Sequence, residues 1–179
     1  MEKVSLFEAA MGDAFYRLPK ALQVFHSATG QPWIGRAKIQ RQNTIFAILL
    51  SLVLGLPKTA NDVPVSVEAR PVEDCENWIR NFDGHILKSH LRLSSKTGCI
   101  WERFGLFNIE IALTLKEQKL YFIPRQWRFA GVPMPGFLLP SGNSYEFEND
   151  GRFHFDVAFE VPFFGKIVTY TGWLEAENS

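Results

Sequence analysis

The sequence predicts an α+β, mainly β fold: a strongly curved antiparallel meander or barrel of about nine strands, with N-terminal helices covering one end and one buried apolar helix. Three observations carry this reading. Beyond Pro57, apolar residues recur at every second position, the period of a strand with one buried face. Those segments are separated by short turn signals, Asp83-Gly84 the strongest. Before Pro57 the periodicity is helical instead. The 179 residues suit a single domain, 1–179, with a helical part at 1–57 that includes one strand and a meander at 58–174. A meander of that size curls, because closure removes exposed strand edges.

Taken in order, Ser5 and Glu8 form a capping-box pair ahead of Leu6, Phe7, Ala10, Met11, Ala14, Phe15 and Leu18, an amphipathic helix that Pro19 ends. Pro19 can start a second short helix carrying Leu22 and Phe25. A loop at Gly30, Pro32 and Gly35 leads into a strand near Ile34 to Gln42. Ile45 to Leu56, IFAILLSLVLGL, is the most apolar stretch. As a helix it spans about 18 Å against a hydrocarbon core of about 30 Å, too short to cross. Asn43 or Thr44 caps its start, and Gly55 with Pro57 stops it. Being apolar all round, it is expected to be buried on every side. The alternative is an interfacial segment flanked by Arg36, Lys38, Arg41 and Lys58, but such a helix needs a polar face, so membrane association is not expected.

The meander then runs through Val63 to Ala69, Trp78 to Phe82, Ile86 to Leu93, Cys99 to Phe104, Phe107 to Leu115 and Leu120 to Phe129. A Pro- and Gly-rich loop, Gly131 to Gly142, breaks the pattern, and its apolar content predicts that it packs over something. Tyr145 to Glu148 pairs across Asn149-Asp150-Gly151 with Phe153 to Val161, and Lys166 to Leu174 ends the sheet.

Nineteen basic and nineteen acidic residues cancel, which argues against a nucleic-acid binder. Cys75 and Cys99 lack metal-ligand spacing and are expected as buried thiols, with a disulfide between them as the alternative. The start, Met1 to Ser5, lacks a basic segment followed by an apolar one, so a cytoplasmic location is expected. His85 and His90 lie five apart on a strand, hence on opposite faces, and no metal or cofactor is expected. Sixteen Phe and five Trp suit either a thick β core or the lining of an apolar cavity.

Candidate ligand-binding residues are charged groups set among aromatics: Trp78 with Arg80, Glu102 with Arg103, Arg125 with Trp127, and His154 with Asp156 beside Arg152. A charge facing an apolar interior is costly unless paired or met by a polar ligand, and arginine captures carboxylates and phosphates through two parallel donors. Any of these residues on the outer face would instead be an ordinary solvated side chain.

Phe25-His26 before Gly30, Gly55-Leu56-Pro57, Trp78-Ile79-Arg80-Asn81-Phe82 with Gly84, Glu102-Arg103-Phe104-Gly105, Arg125-Gln126-Trp127, Asp150-Gly151-Arg152-Phe153 with Phe155-Asp156-Val157, and Gly172-Trp173-Leu174 together resemble the domain of unknown function 4166 family. The resemblance runs over nearly the whole chain and implies a bacterial domain, stand-alone or appended to dehydrogenase-like proteins. It implies no catalytic residues.

Three expectations follow: a binding module whose aromatic cavity takes a lipophilic small molecule with an acidic group; an enzyme in the same cavity with Glu102 or Asp156 as acid/base and an arginine as anion stabiliser; or an interaction domain for an oxidoreductase partner, docking through an exposed apolar patch.

Overall fold

The computed structural model describes residues 4–27, 30–45, 47, 48, 51 and 57–177. Eleven strands form one antiparallel sheet: β1 (Trp33–Arg41), β2 (Ala60–Val72), β3 (Cys75–Phe82), β4 (His85–Leu93), β5 (Cys99–Phe104), β6 (Phe107–Lys116), β7 (Lys119–Phe129), β8 (Val132–Pro133), β9 (Ser144–Asn149), β10 (Arg152–Val161) and β11 (Gly165–Ala176). The order β6-β5-β4-β3-β2-β1-β11-β10-β9-β7-β8, with β6 also paired to β7, closes ten of them into a barrel and leaves β8 as an extra strand on β7. The expected meander is therefore a closed barrel: its nine segments, with the strand near Ile34 to Gln42, supply all ten barrel strands, and only the short β8 is not among them. The extra strand came from the Pro- and Gly-rich segment, where a Pro hides β pairing.

The turns behave as their residues dictate. Asp83 and Gly84 have φ of 50° and 86°, the pair of positive values a two-residue hairpin needs, and the Asn81 side chain accepts from the Gly84 N–H. At Gly172 a Cβ would come within 2.2 Å of the Arg36 carbonyl oxygen and 2.7 Å of the Phe155 ring. Only glycine lets that ring lie against the β1–β11 seam.

At the N-terminus, α1 (Leu6–Met11) is capped by Ser5, whose Oγ accepts from the Glu8 N–H at 3.2 Å. The capping box forms only half way, because the Glu8 carboxylate bonds Tyr16 instead. The helix expected to reach Leu18 stops at Gly12, φ 55°, and continues as a 3-10 turn, Gly12–Arg17. Helix α2 (Lys20–Ser27) follows Pro19 as expected. Both helices close one end of the barrel: Phe7, Phe25 and His26 pack their rings on Trp78 and Phe153.

Thr44 caps a helical start at its predicted place, its Oγ1 accepting from the Ala47 N–H at 3.2 Å. Ala47 and Ser51 are buried, but Ile45 is 79% exposed, so burial on every side does not hold at the first turn. Residues 46, 49, 50 and 52–56 lie outside the described residues. Among the described residues no helix is long and apolar enough to cross a membrane. Cys99 is buried while Cys75 is only half-buried, and both are free thiols.

Candidate functional site

Strand pairing decides which residues face the lumen. Val65 sits opposite Phe82, Val67 opposite Arg80 and Ala69 opposite Trp78, and across the next ladder Arg80 sits opposite Leu87 and Trp78 opposite Ser89. The same alternation sends Glu102, Phe104, Phe107, Ile109 and Ile111 inward from β5 and β6, and Phe153, Phe155, Val157, Val168 and Tyr170 inward from β10 and β11. These side chains surround a cavity of about 180 Å³. An apolar void of about 150 Å³ already admits benzene. Ten strands also make a wider bore than the eight that side chains can fill.

An ion pair is built into this largely apolar wall. Arg80 donates to Glu102 Oε1 at 3.1 Å and to Ser89 Oγ at 2.7 Å, and its guanidinium lies 5.0 Å from the Trp78 ring centre. Removing both charges from water is expensive, and the serine and the ring supply part of the compensation. Tyr170 stands near this pair and packs its ring against Phe82 and Phe155. Burial, opposed by Arg80 and reinforced by Glu102 and Glu146, pushes its phenol up to about 12. Yet Tyr170 is only half-buried by surface area, because it looks into the hollow lumen.

A second set of carboxylates fastens the helices over the barrel end. Glu76 accepts from the Leu6 N–H at 3.1 Å and from Trp78 Nε1 at 2.9 Å. Glu148 accepts from the Ala21 N–H at 2.7 Å. Both place an acidic group at a helix N-terminus, where the unpaired N–H groups and the helix dipole favour it. Glu146, also on the lumen wall, bonds His26 Nε2 at 2.6 Å, and the His26 ring stacks on Phe7 at 3.8 Å. Sequence reasoning missed Glu76, Glu146, Glu148, His26 and Tyr170. A carboxylate sharing its strand parity with inward apolar residues, as Glu146 does opposite Phe155, was the available signal.

Of the residues expected at the site, Trp78, Arg80 and Glu102 line the lumen together. Trp127 is buried in the core against Phe107, with its Nε1 donating to the Pro135 carbonyl at 3.2 Å. Arg103 and Arg125 are exposed. Arg103 shares the outer face with Trp101, where Arg92 and Arg128 lie over the indole. Arg125 is the extra residue of a bulge: Glu110 pairs with Gln126 and Ile111 with Pro124. The two-residue alternation that joined Arg125 to Trp127 therefore breaks between them. His154 and Asp156 point outward too, His154 onto Phe147 and Asp156 toward the Tyr145 hydroxyl at 3.2 Å. Burial first, then Arg152, lowers the His154 pKa.

The bulge also shapes the lumen wall. Below it β7 pairs with β9 at residues 119–122, and above it Arg128 and Phe129 pair with β8. The wall parts there, and the loop at 134–143 lies across the gap, putting Pro140, Ser141 and Gly142 on the lumen. A bridge between Ser141 and Glu160 pins that loop. Gly142 passes so close to β10 that a Cβ would fall 1.8 Å from the Ala158 carbonyl oxygen.

The crystal structure of Rv2717c from M. tuberculosis is similar to this chain, with 11% identity and a TM-score of 0.49, covering 90% of this chain and 99% of that one. No curated protein matches. The family described as a domain of unknown function (DUF4166) matches residues 18–174. With most of its length inside that match, the chain belongs to the DUF4166 family.

Proposed function

We propose that the barrel is a binding module for a lipophilic small molecule whose polar end meets Arg80, Glu102 and Tyr170. The observation that carries this is the hollow, aromatic lumen with a small polar cluster in its wall. Pockets of this make-up, mostly apolar with a few placed polar atoms, are the usual form of small-molecule sites.

The acidic end group expected from sequence is supported by Arg80 alone. Glu102 already pairs with that guanidinium, and Glu146 faces the same space. A carboxylate ligand would have to displace Glu102 and would meet like charge beside it. An uncharged hydroxyl or carbonyl can use the remaining Arg80 and Tyr170 hydrogen-bonding capacity without either cost. The geometry therefore favours an uncharged polar end. For the enzyme reading, Asp156 is on the wrong side of the wall, and Glu102 is tied to Arg80.

Native mass spectrometry with solvent extraction of the purified protein tests for a resident ligand, and titration with 2-naphthol and 2-naphthoate tests the end group. Naphthol is expected to bind more tightly than naphthoate, and Val157→Trp, which fills the lumen, is expected to abolish both. Glu102→Gln, which frees the Arg80 charge, is expected to raise naphthoate affinity. Tighter naphthoate binding to the unaltered protein would remove the uncharged end group. Binding of neither probe, with nothing extracted, would remove the binding module.

A further inference from the structure

The barrel end opposite the helices carries an unusual surface. Its described connections are the two ends of the segment between β1 and β2 (42–45 and 57–59), the turns at 83–84 and 105–106, the segment 130–143 that includes β8, and the turn at 162–164. Large apolar side chains stand exposed on most of them: Ile45, Leu106, Val132, Phe137, Phe163 and Phe164, with Phe163 85% exposed. Backbone hydrogen bonds tie several of these connections together in pairs. The Ala130 N–H bonds the Leu106 carbonyl, Ser141 bridges to Glu160 next to the Phe163 turn, and the Gln42 N–H bonds the Ile167 carbonyl on the strand that follows it. The rim includes the loop whose Pro140, Ser141 and Gly142 line the lumen.

The charges on this rim are mostly basic. Arg41, Lys58, Arg103, Arg128 and Lys166 stand on or beside these connections, against Asp83 and Glu160, while Asp62 is held by Arg36. Separate protruding turns with aromatic tips suit insertion between headgroups better than contact with a flat protein face, and flanking Lys and Arg suit an anionic surface.

We propose that this rim docks on a bilayer containing anionic lipid, so that the lumen exchanges its ligand with the membrane. This rests on the lumen reading, since an apolar mouth ringed by lipid-inserting side chains gives a lipophilic molecule a path that avoids water.

The test is flotation of the intact protein with vesicles of phosphatidylcholine alone or mixed with phosphatidylglycerol, alongside 2-naphthol titration of the same preparations. Flotation is expected with the mixed vesicles and is expected to weaken with salt. Phe137→Ser with Phe163→Ser, and separately Lys58→Glu with Lys166→Glu, are each expected to lower the bound fraction about tenfold or more. Val72→Ser, an exposed apolar residue at the other end, should leave flotation unchanged. Circular dichroism and naphthol binding check that the variants remain folded. No flotation, or flotation unaltered in both rim variants, overturns the proposal while continued naphthol binding leaves the lumen reading standing. Self-association that the Phe variant abolishes, without flotation, makes the rim a contact between copies and also overturns it. Flotation with no naphthol binding and nothing extracted overturns the exchange role by removing its cargo.

Discussion

The two ends of the barrel are made from the same strands and differ in almost everything else. At the closed end, α1 and α2 sit over the bore, Glu76 and Glu148 cap them, and Glu146 holds His26. The turns there are polar and carry charges of both signs: Glu73, Asp74, Glu117 and Asp150, with Lys96, Lys116, Lys119 and Arg152. At the open end, the tips are apolar and the charges mostly basic. The difference separates two tasks within one wall. Buried rings and carboxylates at the closed end contribute stability, whereas exposed rings at the other end contribute little to it.

The largest expected effect follows directly. Phe7→Ala empties the ring cluster at the closed end and should destabilise by about 3–5 kcal/mol, while Phe163→Ser should change stability by no more than about 0.5 kcal/mol. Urea unfolding of both variants measures the contrast, and equal losses would break the distinction between the ends. Next, Glu76→Gln replaces an acceptor of two hydrogen bonds with a group that keeps only one accepting oxygen. Leaving a buried donor unpaired should cost about 1–3 kcal/mol. An unchanged midpoint would mean that the helices are held by packing alone.

Acid should loosen the closed end through Glu110. Burial raises the pKa of this carboxyl, but hydrogen bonds from Lys96 and Ser94 in the β4–β5 turn, and from Gln126, outweigh it and leave it lowered. A lowered folded-state pKa adds stability that is present above the unfolded value, about 4.3, and lost as pH falls through the folded one. Glu110→Gln should flatten that part of the stability–pH curve. An identical slope in the variant would show that other carboxylates carry the acid response. The smallest effect sits between the two ends: ultraviolet titration should show one tyrosine step near 12, and Tyr170→Phe should remove it. Should that step fall in the ordinary range near 10 instead, Tyr170 is not enclosed as described.

Much of this was legible in the chain. The alternation at Val63 to Ala69 and at Phe107 to Leu115 marked wall strands, Asp83-Gly84 marked a hairpin, and Ser5 and Thr44 marked helix starts. Alternation sorts a strand into two faces because successive side chains point opposite ways. The candidate site was legible only where parity ran unbroken. Trp78, Arg80 and Glu102 share lumen-facing positions, whereas Arg125 lost its place to a bulge that a sequence pattern does not register.

What the residues determined by themselves, then, was local: element type, turn positions, and which side chains share a face. Which face became the inside was decided by closure of the sheet, and closure set His154, Asp156 and Arg103 outside. The pairs that define the site join residues far apart in sequence, Arg80 with Glu102 and His26 with Glu146, separated by 22 and 120 positions. Such contacts depend on the packed geometry of several strands at once, and no local periodicity encodes them.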